Sequence, residues 1–390
     1  MHERHAPEPV TRTLVLGGGF GGLTVASELK RLLGAKHEVV LVDRKEYFSM
    51  GLRKLWELVG HATVADGSRS RDALRGRGVR VIRGEIQAID PAARAARVDD
   101  ETIEADSLVI ALGAVSRPDL VPGLAEHGHD VWDLAGVPAA TEALARFDGG
   151  RIVVLIAGAP YPCPPAPYEC AIHVHEHLRE RGLRDRSEIV VSTIQPMLMP
   201  NAGREGSAWM GEQLTKRDIG HQVASKVERV DPDRIVFAEG EIEYDLLIAV
   251  PPHRVPAVVK ETGLTGEGEW VTVDPGTLET SHPNVFGIGD VTQILLANGL
   301  PLPKAGVIAE LEGARVAAAI AADLQGGEMP LPFDGTGACF IEMGTRLAAL
   351  VEGDWYATPE PRVVIAEPDA AHAAEKRAFE SERLERWFGA

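Results

Sequence analysis

A glycine-rich turn near the N-terminus has the residue types and spacing of a phosphate-binding site. Its glycines are, in chain order, Gly17, Gly19 and Gly22. The turn follows the apolar run 13–16 and precedes residues 23–33, whose apolar positions recur at helical spacing. Glycines here let the backbone approach a pyrophosphate at the helix N-terminus, where free N–H groups and the helix dipole favour negative charge. Asp43 ends the next apolar run and is placed to bind ribose hydroxyls, so the pattern favours a dinucleotide site over a turn without a ligand.

The elements that must position this turn are alternating buried strands and helices. This alternation predicts an α/β chain with two Rossmann-like dinucleotide-binding domains, each of three layers, followed by a small C-terminal segment. We expect residues 1–115 and 272–330 to form the first domain, 116–271 the second and 331–390 the C-terminal segment. The first domain is thus predicted to be discontinuous. Residues 78–106 read as a β-meander that crosses between layers.

A distal segment, residues 280–290, decides which dinucleotide is bound. It ends in Gly289-Asp290 and is similar to the second FAD element of the pyridine-nucleotide disulfide oxidoreductase superfamily. The resemblance implies that Asp290 contacts the ribityl chain and phosphate region of FAD; the alternative is a strand that ends in a capping aspartate. We expect contacts to the same cofactor from Phe20, Arg44, Gly113 and Gly289.

The corresponding turn of the second domain is rich in proline. Residues 157–165 contain four prolines, Pro160, Pro162, Pro164 and Pro165. Proline removes an N–H donor and fixes φ, so this loop is poorly suited to hold a pyrophosphate on backbone amides. The sequence therefore predicts a degenerate second site that does not bind NADH.

Cys163 and the residues after it, 163–169, resemble a segment of the sulfide:quinone oxidoreductase and flavocytochrome c sulfide dehydrogenase families. Cys339 in the segment 337–340 and Lys304 in the segment 303–306 match two further segments of these families. The resemblance covers nearly the whole chain. It implies that Cys163 and Cys339 form a redox pair, that Glu169 moves protons at the sulfur site, and that Lys304 places positive charge near the flavin.

Each of these assignments has a simpler alternative. The two cysteines could be small buried apolar residues, Glu169 an acid favoured by a helix N-terminus, and Lys304 a surface lysine. Cys170 departs from the family pattern and is either a spectator or a resolving thiol. Residues 47–51 contain no cysteine where the cytochrome-linked family attaches its flavin, so FAD is expected to be bound non-covalently.

The function that the resemblance implies is oxidation of sulfide to polysulfide or sulfur, with quinone as the electron acceptor. Hydrosulfide would attack a disulfide, form a persulfide and release a thiolate that passes electrons to the flavin. Three alternatives remain open. They are the flavoprotein subunit of a cytochrome c-linked sulfide dehydrogenase, an NADH:quinone oxidoreductase, and a flavoprotein that senses thiol state without turnover.

Composition excludes some classes of partner. The formal net charge of −18 repels nucleic acid, and no apolar run reaches the length of a membrane span. Residues 1–10 carry charges and prolines in place of an apolar export signal, which favours a cytoplasmic protein. No metal is predicted: His173 and His177 share a helix face without a carboxylate partner and are interpreted as surface or capping residues.

The last helical pattern, residues 371–388, is amphipathic. Its apolar residues are Phe379, Leu384, Trp387 and Phe388, and its basic neighbours are Lys376, Arg377, Arg383 and Arg386. Basic and apolar residues on adjoining faces are typical of a helix that lies on a membrane surface, although four interspersed glutamates weaken this interpretation. The helix is therefore expected to contact a membrane, a second subunit of a homo-oligomer or another domain.

Overall fold

The computed structural model describes residues 11–266 and 269–389. Residues 1–10, to which the prediction about an export signal refers, lie outside this part of the chain. The α-helices of the described residues are α1 Phe20–Leu33, α2 Arg53–Leu58, α3 Leu124–His127, α4 Val137–Arg146, α5 Ala166–Glu180, α6 Gly203–Thr215, α7 Ala257–Lys260, α8 Gly306–Gln325 and α9 Ala370–Phe388.

The strands of the described residues are also numbered in chain order. They are β1 Thr11–Leu16, β2 His37–Asp43, β3 Tyr47–Ser49, β4 Ser68–Ser70, β5 Val79–Arg83, β6 Ile86–Asp90, β7 Ala95–Val98, β8 Glu101–Glu104, β9 Ser107–Ile110, β10 Val115–Ser116, β11 His129–Asp130, β12 Gly150–Ile156, β13 Ser187–Thr193, β14 Ile219–Gln222, β15 Val227–Asp231, β16 Arg234–Phe237, β17 Glu241–Glu243, β18 Leu246–Val250, β19 His253–Arg254, β20 Val285–Gly287, β21 Thr336–Glu342, β22 Ala348–Asp354 and β23 Arg362–Ile365.

The first parallel sheet has the strand order β20-β9-β1-β2-β5. Its strands are apolar on both faces because both are covered: Val15 points to the layer of α1 and α8, whereas Leu14 and Leu16 point to the antiparallel sheet β6-β7-β8. β20 pairs with β9 although much of the chain lies between them. The predicted three-layer, discontinuous first domain is therefore confirmed.

The second parallel sheet repeats this architecture with the strand order β11-β18-β12-β13-β14. Ile152, Val154 and Ile156 of β12 pack with α5 and α6, and Val153 and Leu155 pack with the antiparallel sheet β15-β16-β17. In both sheets the loops that follow the carboxyl ends of the strands are the ones that could reach a ligand. The predicted α/β fold with two Rossmann-like domains is confirmed, while the domain boundaries stay a prediction.

One detail of the predicted meander is wrong. Residues 79–83 form β5, which pairs in parallel with β2 at the edge of the first sheet. Val79 and Val81 are buried under α1, and this burial makes the segment part of the sheet rather than of the crossing layer. The antiparallel meander begins only at β6.

The C-terminal segment is an antiparallel sheet, β21-β22-β23, followed by α9. Cys339 lies on β21, opposite Val351 of β22. α9 packs on the first domain, where Trp387 is fully buried. The first half of α9 also reaches the second domain, where Lys376 donates to Glu169 of α5. No helix of the described residues is long and apolar enough to cross a membrane.

Candidate active site

The glycine-rich turn links β1 to α1 and presents its backbone at the helix N-terminus. Gly17 has φ +103°, which residues with a side chain rarely adopt, and a Cβ on Gly22 would lie 1.9 Å from the carbonyl oxygen of Gly17. A Cβ on Gly19, in contrast, would meet no atom within 4 Å. The inner side of the turn is thus tightly packed and its outer side is open. This arrangement fits the pyrophosphate of a dinucleotide.

Gly19→Ala tests whether the open side of the turn holds the cofactor. We expect the variant to fold with wild-type stability, because the added methyl group has room, but to bind FAD about tenfold or more weakly, because that room is where the pyrophosphate would lie. FAD titration of the apoprotein measures the affinity, and thermal unfolding of the apoprotein measures the fold. Gly76→Ala is the control, since Gly76 is exposed and also has open space at its Cβ position. Equal affinities of Gly19→Ala and wild type would contradict this assignment.

Asp43 ends β2 beside the turn, where a ribose-binding acid is predicted. Its carboxylate accepts hydrogen bonds from the N–H groups of Gly18 and Lys45, both at 2.8 Å. Arg71, which the sequence analysis missed, donates to the carbonyl oxygen of Gly18 at 2.7 and 3.0 Å and lies 3.3 Å from Asp43 Oδ2. A buried guanidinium therefore adds positive charge next to the predicted phosphate site.

Three other predicted cofactor residues have different surroundings. Phe20 lines the central cavity described below and packs edge-on against Phe48, with 5.7 Å between the ring centroids. Gly113 follows β9 with φ +64°. Arg44 is exposed and lies 3.6 Å from Glu85. Contact of these residues with FAD stays a prediction.

The distal Gly289-Asp290 element follows β20 and carries a group of buried charges. Lys304 Nζ donates to the carbonyl oxygens of Asp290 and Thr292, both at 2.7 Å, and lies 3.7 Å from the centroid of the Trp270 ring. Burial lowers the pKa of Lys304 to about 8, and burial raises the pKa of Asp290. Only 5 % of Lys304 is exposed, so the interpretation as a surface lysine is wrong.

Glu312 of α8 is a further buried charge at this element, and the sequence analysis missed it. Its Oε2 accepts a hydrogen bond from the Gly289 N–H at 2.6 Å. Burial raises the pKa of Glu312 to about 7, against the lowering effect of this hydrogen bond. Because Glu312 and Lys304 line the same small cavity as Asp290, the charge at this element depends on pH near neutrality.

Glu312→Gln tests the effect of this carboxyl group on stability. A carboxyl group whose pKa is raised by folding stabilises the protein fully below its unfolded pKa and loses this effect as the pH rises through its folded pKa, here about 7. We expect the glutamine variant to gain stability relative to wild type between about pH 5 and about pH 8. Urea unfolding at both pH values measures the free energies, with the exposed Glu328→Gln as control. A difference from wild type that is the same at both pH values would refute this account.

Both candidate redox cysteines line a central cavity of about 270 Å³. Cys163 comes from the loop between β12 and α5, where its N–H donates to the Lys304 carbonyl oxygen at 2.6 Å. Cys339 comes from β21 of the C-terminal sheet, and both are free thiols in this structure. Asp290 and Lys304 line the same cavity. The fold therefore brings together the predicted cysteines and the predicted flavin-side residues, which are far apart in sequence.

Burial and the nearby acidic groups favour the neutral form of both thiols, whereas nearby lysines favour the thiolate. Burial raises the pKa of Cys163, Glu169 and Cys339 raise it further, and Lys376 and Lys54 lower it. Burial also raises the pKa of Cys339, and Lys376 lowers it. A thiolate formed here would thus depend on the two lysines for its stability.

Cys170, the third cysteine, is separate from this site. It is fully buried in the core of the second domain, and burial raises the pKa of its thiol to about 12. Cys170 is not among the residues that line the cavity. Of the two roles considered for it, the structure favours the spectator.

Glu169, the predicted proton carrier, lies in the wall of the cavity and pairs with a lysine from the other end of the chain. Its Oε1 accepts hydrogen bonds from Lys376 Nζ and from the Glu342 N–H, both at 2.6 Å. Burial lowers the pKa of Lys376, but Glu169 and Glu342 outweigh this effect and raise it. Before any reaction Lys376 is therefore charged and links the two carboxylates. The position of Glu169 in the first turn of α5 is also favourable for an acid.

Glu342, which also lines the cavity, extends this network to α2 and to the middle of α5. Its Oε2 lies 2.8 Å from His173 Nε2, and Trp56 Nε1 donates to both of its oxygens at 3.0 Å. Burial disfavours the charged form, but Lys376 and the hydrogen bonds lower the pKa of Glu342 to about 2. His173 is fully buried, so its interpretation as a surface or capping residue is wrong. In the described residues no cluster of three or more histidine, cysteine or acidic side chains is arranged to hold a metal.

The apolar face of α9 is used inside the protein. Leu384, Trp387 and Phe388 are buried against the first domain, and Trp387 packs edge-on against Phe20 with 5.2 Å between ring centroids. The neighbouring basic residues are also engaged: Arg383 and Arg386 pair with Glu310. The interpretation of this face as a membrane-contacting surface is therefore wrong. It forms a contact between the C-terminal segment and the first domain.

The proline-rich turn of the second domain is closely packed at its glycine. A Cβ on Gly158, the single glycine of residues 157–165, would lie 2.6 Å from the Cα of Pro252. α5 begins directly after Pro165, which has no N–H to offer. This turn differs from the first one, where the position of Gly19 is open. That the second domain does not bind NADH stays a prediction.

Comparison with known proteins decides the family. The family model for pyridine nucleotide-disulphide oxidoreductases matches residues 11–320, a span that includes both parallel sheets. The chain belongs to this family. This pyridine nucleotide-disulphide oxidoreductase is thus an FAD-dependent enzyme, in agreement with the glycine turn and the Gly289-Asp290 element.

Several relatives of this pyridine nucleotide-disulphide oxidoreductase have assigned activities. A mitochondrial sulfide:quinone oxidoreductase from Mus musculus is 26% identical over 365 residues, which are 89% of this chain and 78% of the mouse protein. A type II NADH:quinone oxidoreductase from Mycobacterium tuberculosis is 26% identical over 349 residues, which are 79% of this chain and 71% of that protein. The crystal structure of the sulfide:quinone oxidoreductase from Aquifex aeolicus has a TM-score of 0.89, with 22% identity, 97% of this chain covered and 92% of that chain. This last similarity shows the shared fold.

Proposed function

We propose that this enzyme oxidises sulfide to polysulfide or sulfur and passes the electrons to a quinone. The observation that carries the proposal is the meeting of Cys163 and Cys339, from different parts of the fold, in one cavity with Asp290 and Lys304. Relatives that are sulfide:quinone oxidoreductases support it. The second group of relatives, the quinone-reducing NADH enzymes, supports the quinone as acceptor.

The residues of the cavity suit a thiol–disulfide exchange. In the oxidised protein, hydrosulfide would attack one sulfur of a Cys163–Cys339 disulfide, forming a persulfide on that cysteine and releasing the other as a thiolate. Lys376, which lowers the pKa of both thiols, would stabilise the released thiolate. Glu169 is placed to take up or return a proton while Lys376 holds its carboxylate. FAD, when bound without a covalent link, supplies the two-electron acceptor between sulfur and quinone.

A quinone needs an apolar approach to this cavity. Phe20, Leu52 and Phe379 line its wall beside the polar group of Glu169 and Lys376. An apolar ring with polar groups at one end is the usual composition of a small-molecule site. We propose that the quinone enters on this apolar side, and that the protein meets the membrane surface by a face other than the buried one of α9.

NADH:quinone oxidoreduction is the second candidate. A cavity of about 330 Å³ borders the proline-rich turn, with Pro160, Gln195 and Pro301 in its wall, so there is room for a ligand. Two features argue against this candidate. Gly158 is tightly packed, and the prolines have no N–H groups that could bind a pyrophosphate. The cytochrome-linked dehydrogenase and the thiol-sensing flavoprotein differ from the proposal in acceptor and in turnover, respectively.

Steady-state assays test the proposal. We expect sulfide-dependent reduction of decylubiquinone to be saturable and faster than reduction of cytochrome c. The same assay with NADH as donor is the comparison that separates the second candidate. A thiol sensor would consume no sulfide in the steady state, and a cytochrome-linked enzyme would prefer cytochrome c. Either result would refute the proposal.

A further inference from the structure

Two histidines of α5 lie where this helix contacts α2, and each has one ring nitrogen without a hydrogen-bond partner in the described residues. His173 and His177 are one helical turn apart and share a face of α5. Nε2 of His173 contacts Glu342 at 2.8 Å, and Nδ1 of His177 contacts the carbonyl oxygen of Val59 at 3.2 Å. The other nitrogens, His173 Nδ1 and His177 Nε2, are buried and have no hydrogen-bond partner in the described part of the chain. Buried polar atoms without a partner are rare and mark places where water can bind.

The partners of the two rings determine which nitrogen carries hydrogen. A carbonyl oxygen only accepts, so Nδ1 of His177 carries the hydrogen and its Nε2 is a free acceptor when the ring is neutral. Glu342 is ionised, because its pKa is about 2, and therefore also accepts. Nε2 of His173 thus donates, and its Nδ1 is the free acceptor. When both rings are neutral, each has an unprotonated nitrogen that is buried and has no hydrogen-bond partner in the described residues.

His173 and His177 have different charged neighbours, because His173 lies nearer the cavity and His177 nearer the solvent-exposed end of the contact between α2 and α5. On the cavity side His173 faces Glu342, which also lies 3.6 Å from Lys376. At His177, burial lowers the pKa of the imidazole most, and Arg181 and His61 lower it further. Glu180 acts in the opposite direction and raises it.

The solvent end of this interface is formed by His61 and Glu180. Nε2 of His61 lies 3.6 Å from Glu180, whose side chain is 61% exposed. The pair of histidines therefore lies between an exposed edge and a residue that lines the cavity.

The proposed reaction requires protons from solvent. Reduction of a quinone to a quinol takes up two electrons and two protons, whereas oxidation of hydrosulfide to zero-valent sulfur releases two electrons and one proton. Hydrosulfide, quinone and one further proton thus give sulfur and quinol. With any donor that releases fewer than two protons, the enzyme must draw a proton from solvent to the bound quinone.

We propose that His177 and His173 carry this proton from the solvent edge to Glu342, and through Glu342 to Lys376 in the cavity wall. At His177 an N–H bond forms at Nε2 and breaks again as water takes the proton on, while Nδ1 keeps its hydrogen on the Val59 carbonyl oxygen. At His173 an N–H bond forms at Nδ1, the N–H bond at Nε2 breaks, and an O–H bond forms on Glu342. This O–H bond breaks when the proton binds to Nζ of Lys376. Transfer to Glu342 becomes favourable when Lys376 has given its proton to the reduced quinone, because Lys376 is the main charge that keeps Glu342 ionised. Water at the two free nitrogens completes the path.

This inference rests on the quinone acceptor of the proposed function and not on sulfide, so the test avoids sulfide. The FAD-loaded enzyme is reduced with dithionite and mixed anaerobically with decylubiquinone in weak buffer that contains a pH indicator dye. Flavin absorbance reports reoxidation, and the dye reports proton uptake. We expect His173→Gln to slow both signals together by about tenfold to a hundredfold, since glutamine keeps a donor for Glu342 but cannot relay a proton. His177→Ala is expected to slow both signals, and added imidazole to restore them.

The matched control is His175→Gln on the same helix. His175 faces away from this interface and accepts a hydrogen bond from Arg184 Nε at 2.9 Å, so both signals should keep the wild-type rate. Wild-type rates in His173→Gln, or a slow His177→Ala that imidazole does not restore, would overturn the proposal. If His173→Gln fails to fold, the His177→Ala variant still tests the proposal through its rescue by imidazole, because His177 is only half-buried. If quinone does not reoxidise the wild-type enzyme, both the assignment of quinone as electron acceptor and the proposed proton path are overturned. If sulfide fails to reduce the enzyme, only the sulfide donor is overturned and the proton path stands.

Discussion

Replacement of either cavity cysteine by serine is expected to abolish reduction of the bound FAD by sulfide, with a loss of at least about a thousandfold, as for other enzymes that lose a nucleophile. Cys163 and Cys339 line the same cavity, and a disulfide between them is the group that hydrosulfide would attack. A serine hydroxyl forms neither a disulfide nor a persulfide. Anaerobic stopped-flow absorbance of the flavin measures the rate for each variant.

The third cysteine provides the matched control for this experiment. Cys170 is buried away from the cavity, so Cys170→Ala should reduce FAD within about twofold of the wild-type rate, with a small loss of stability from the missing sulfur. FAD content and reduction by dithionite check that the serine variants still hold a competent cofactor. Rapid reduction by sulfide in both serine variants would contradict the assignment of the redox pair.

Lys376→Met is expected to lower the free energy of unfolding by about 3–5 kcal/mol. Lys376 is buried between two carboxylates and donates to Glu169 at 2.6 Å. Removal of the ammonium group leaves Glu169 and Glu342 close together in the interior with no compensating charge, so at least one of them must take up a proton. Denaturant unfolding near neutral pH measures the loss, and a repeat at lower pH should show a smaller one, because protonation of the carboxylates then costs less.

Two further variants separate charge from packing. Arg377→Ala changes an exposed neighbour of Lys376 on α9 and should leave stability within about 0.5 kcal/mol of wild type. In the double variant Lys376→Met, Glu169→Gln, one of the unpaired carboxylates is gone, and the loss should be smaller than for Lys376→Met alone. Additive losses for the two substitutions would show that the lysine and Glu169 do not interact.

The glycine turn and the Gly289-Asp290 element could be predicted from sequence because each motif is local. Gly17 and Gly22 occupy positions that sterics restrict to glycine, and such restrictions are visible as fixed spacings. The return of β20 to the first sheet was also predictable, because the element has a function only beside the first turn. The meeting of Cys163 and Cys339 followed from a family resemblance and not from any pattern in the residues between them.

Lys376 and Glu342 could not be predicted as parts of the site. A charged residue in an amphipathic helix is usually exposed, and their contacts with Glu169 and His173 join segments far apart in the chain. One signal was available for Lys376: helical spacing places it on the same face as the buried Leu384 and Trp387. The role of α9 was misread for the same reason, since an apolar stripe alone does not tell a membrane from a protein interior.

The central claim, that this enzyme takes its electrons from sulfide through the cavity cysteines, is tested most directly by one comparison. Wild-type enzyme is mixed anaerobically with sulfide or, separately, with NADH, and the flavin absorbance is followed by stopped flow. The account predicts rapid loss of absorbance with sulfide and little change with NADH. Rapid loss with NADH and none with sulfide would contradict it and would show that the second domain binds a dinucleotide despite its proline-rich turn.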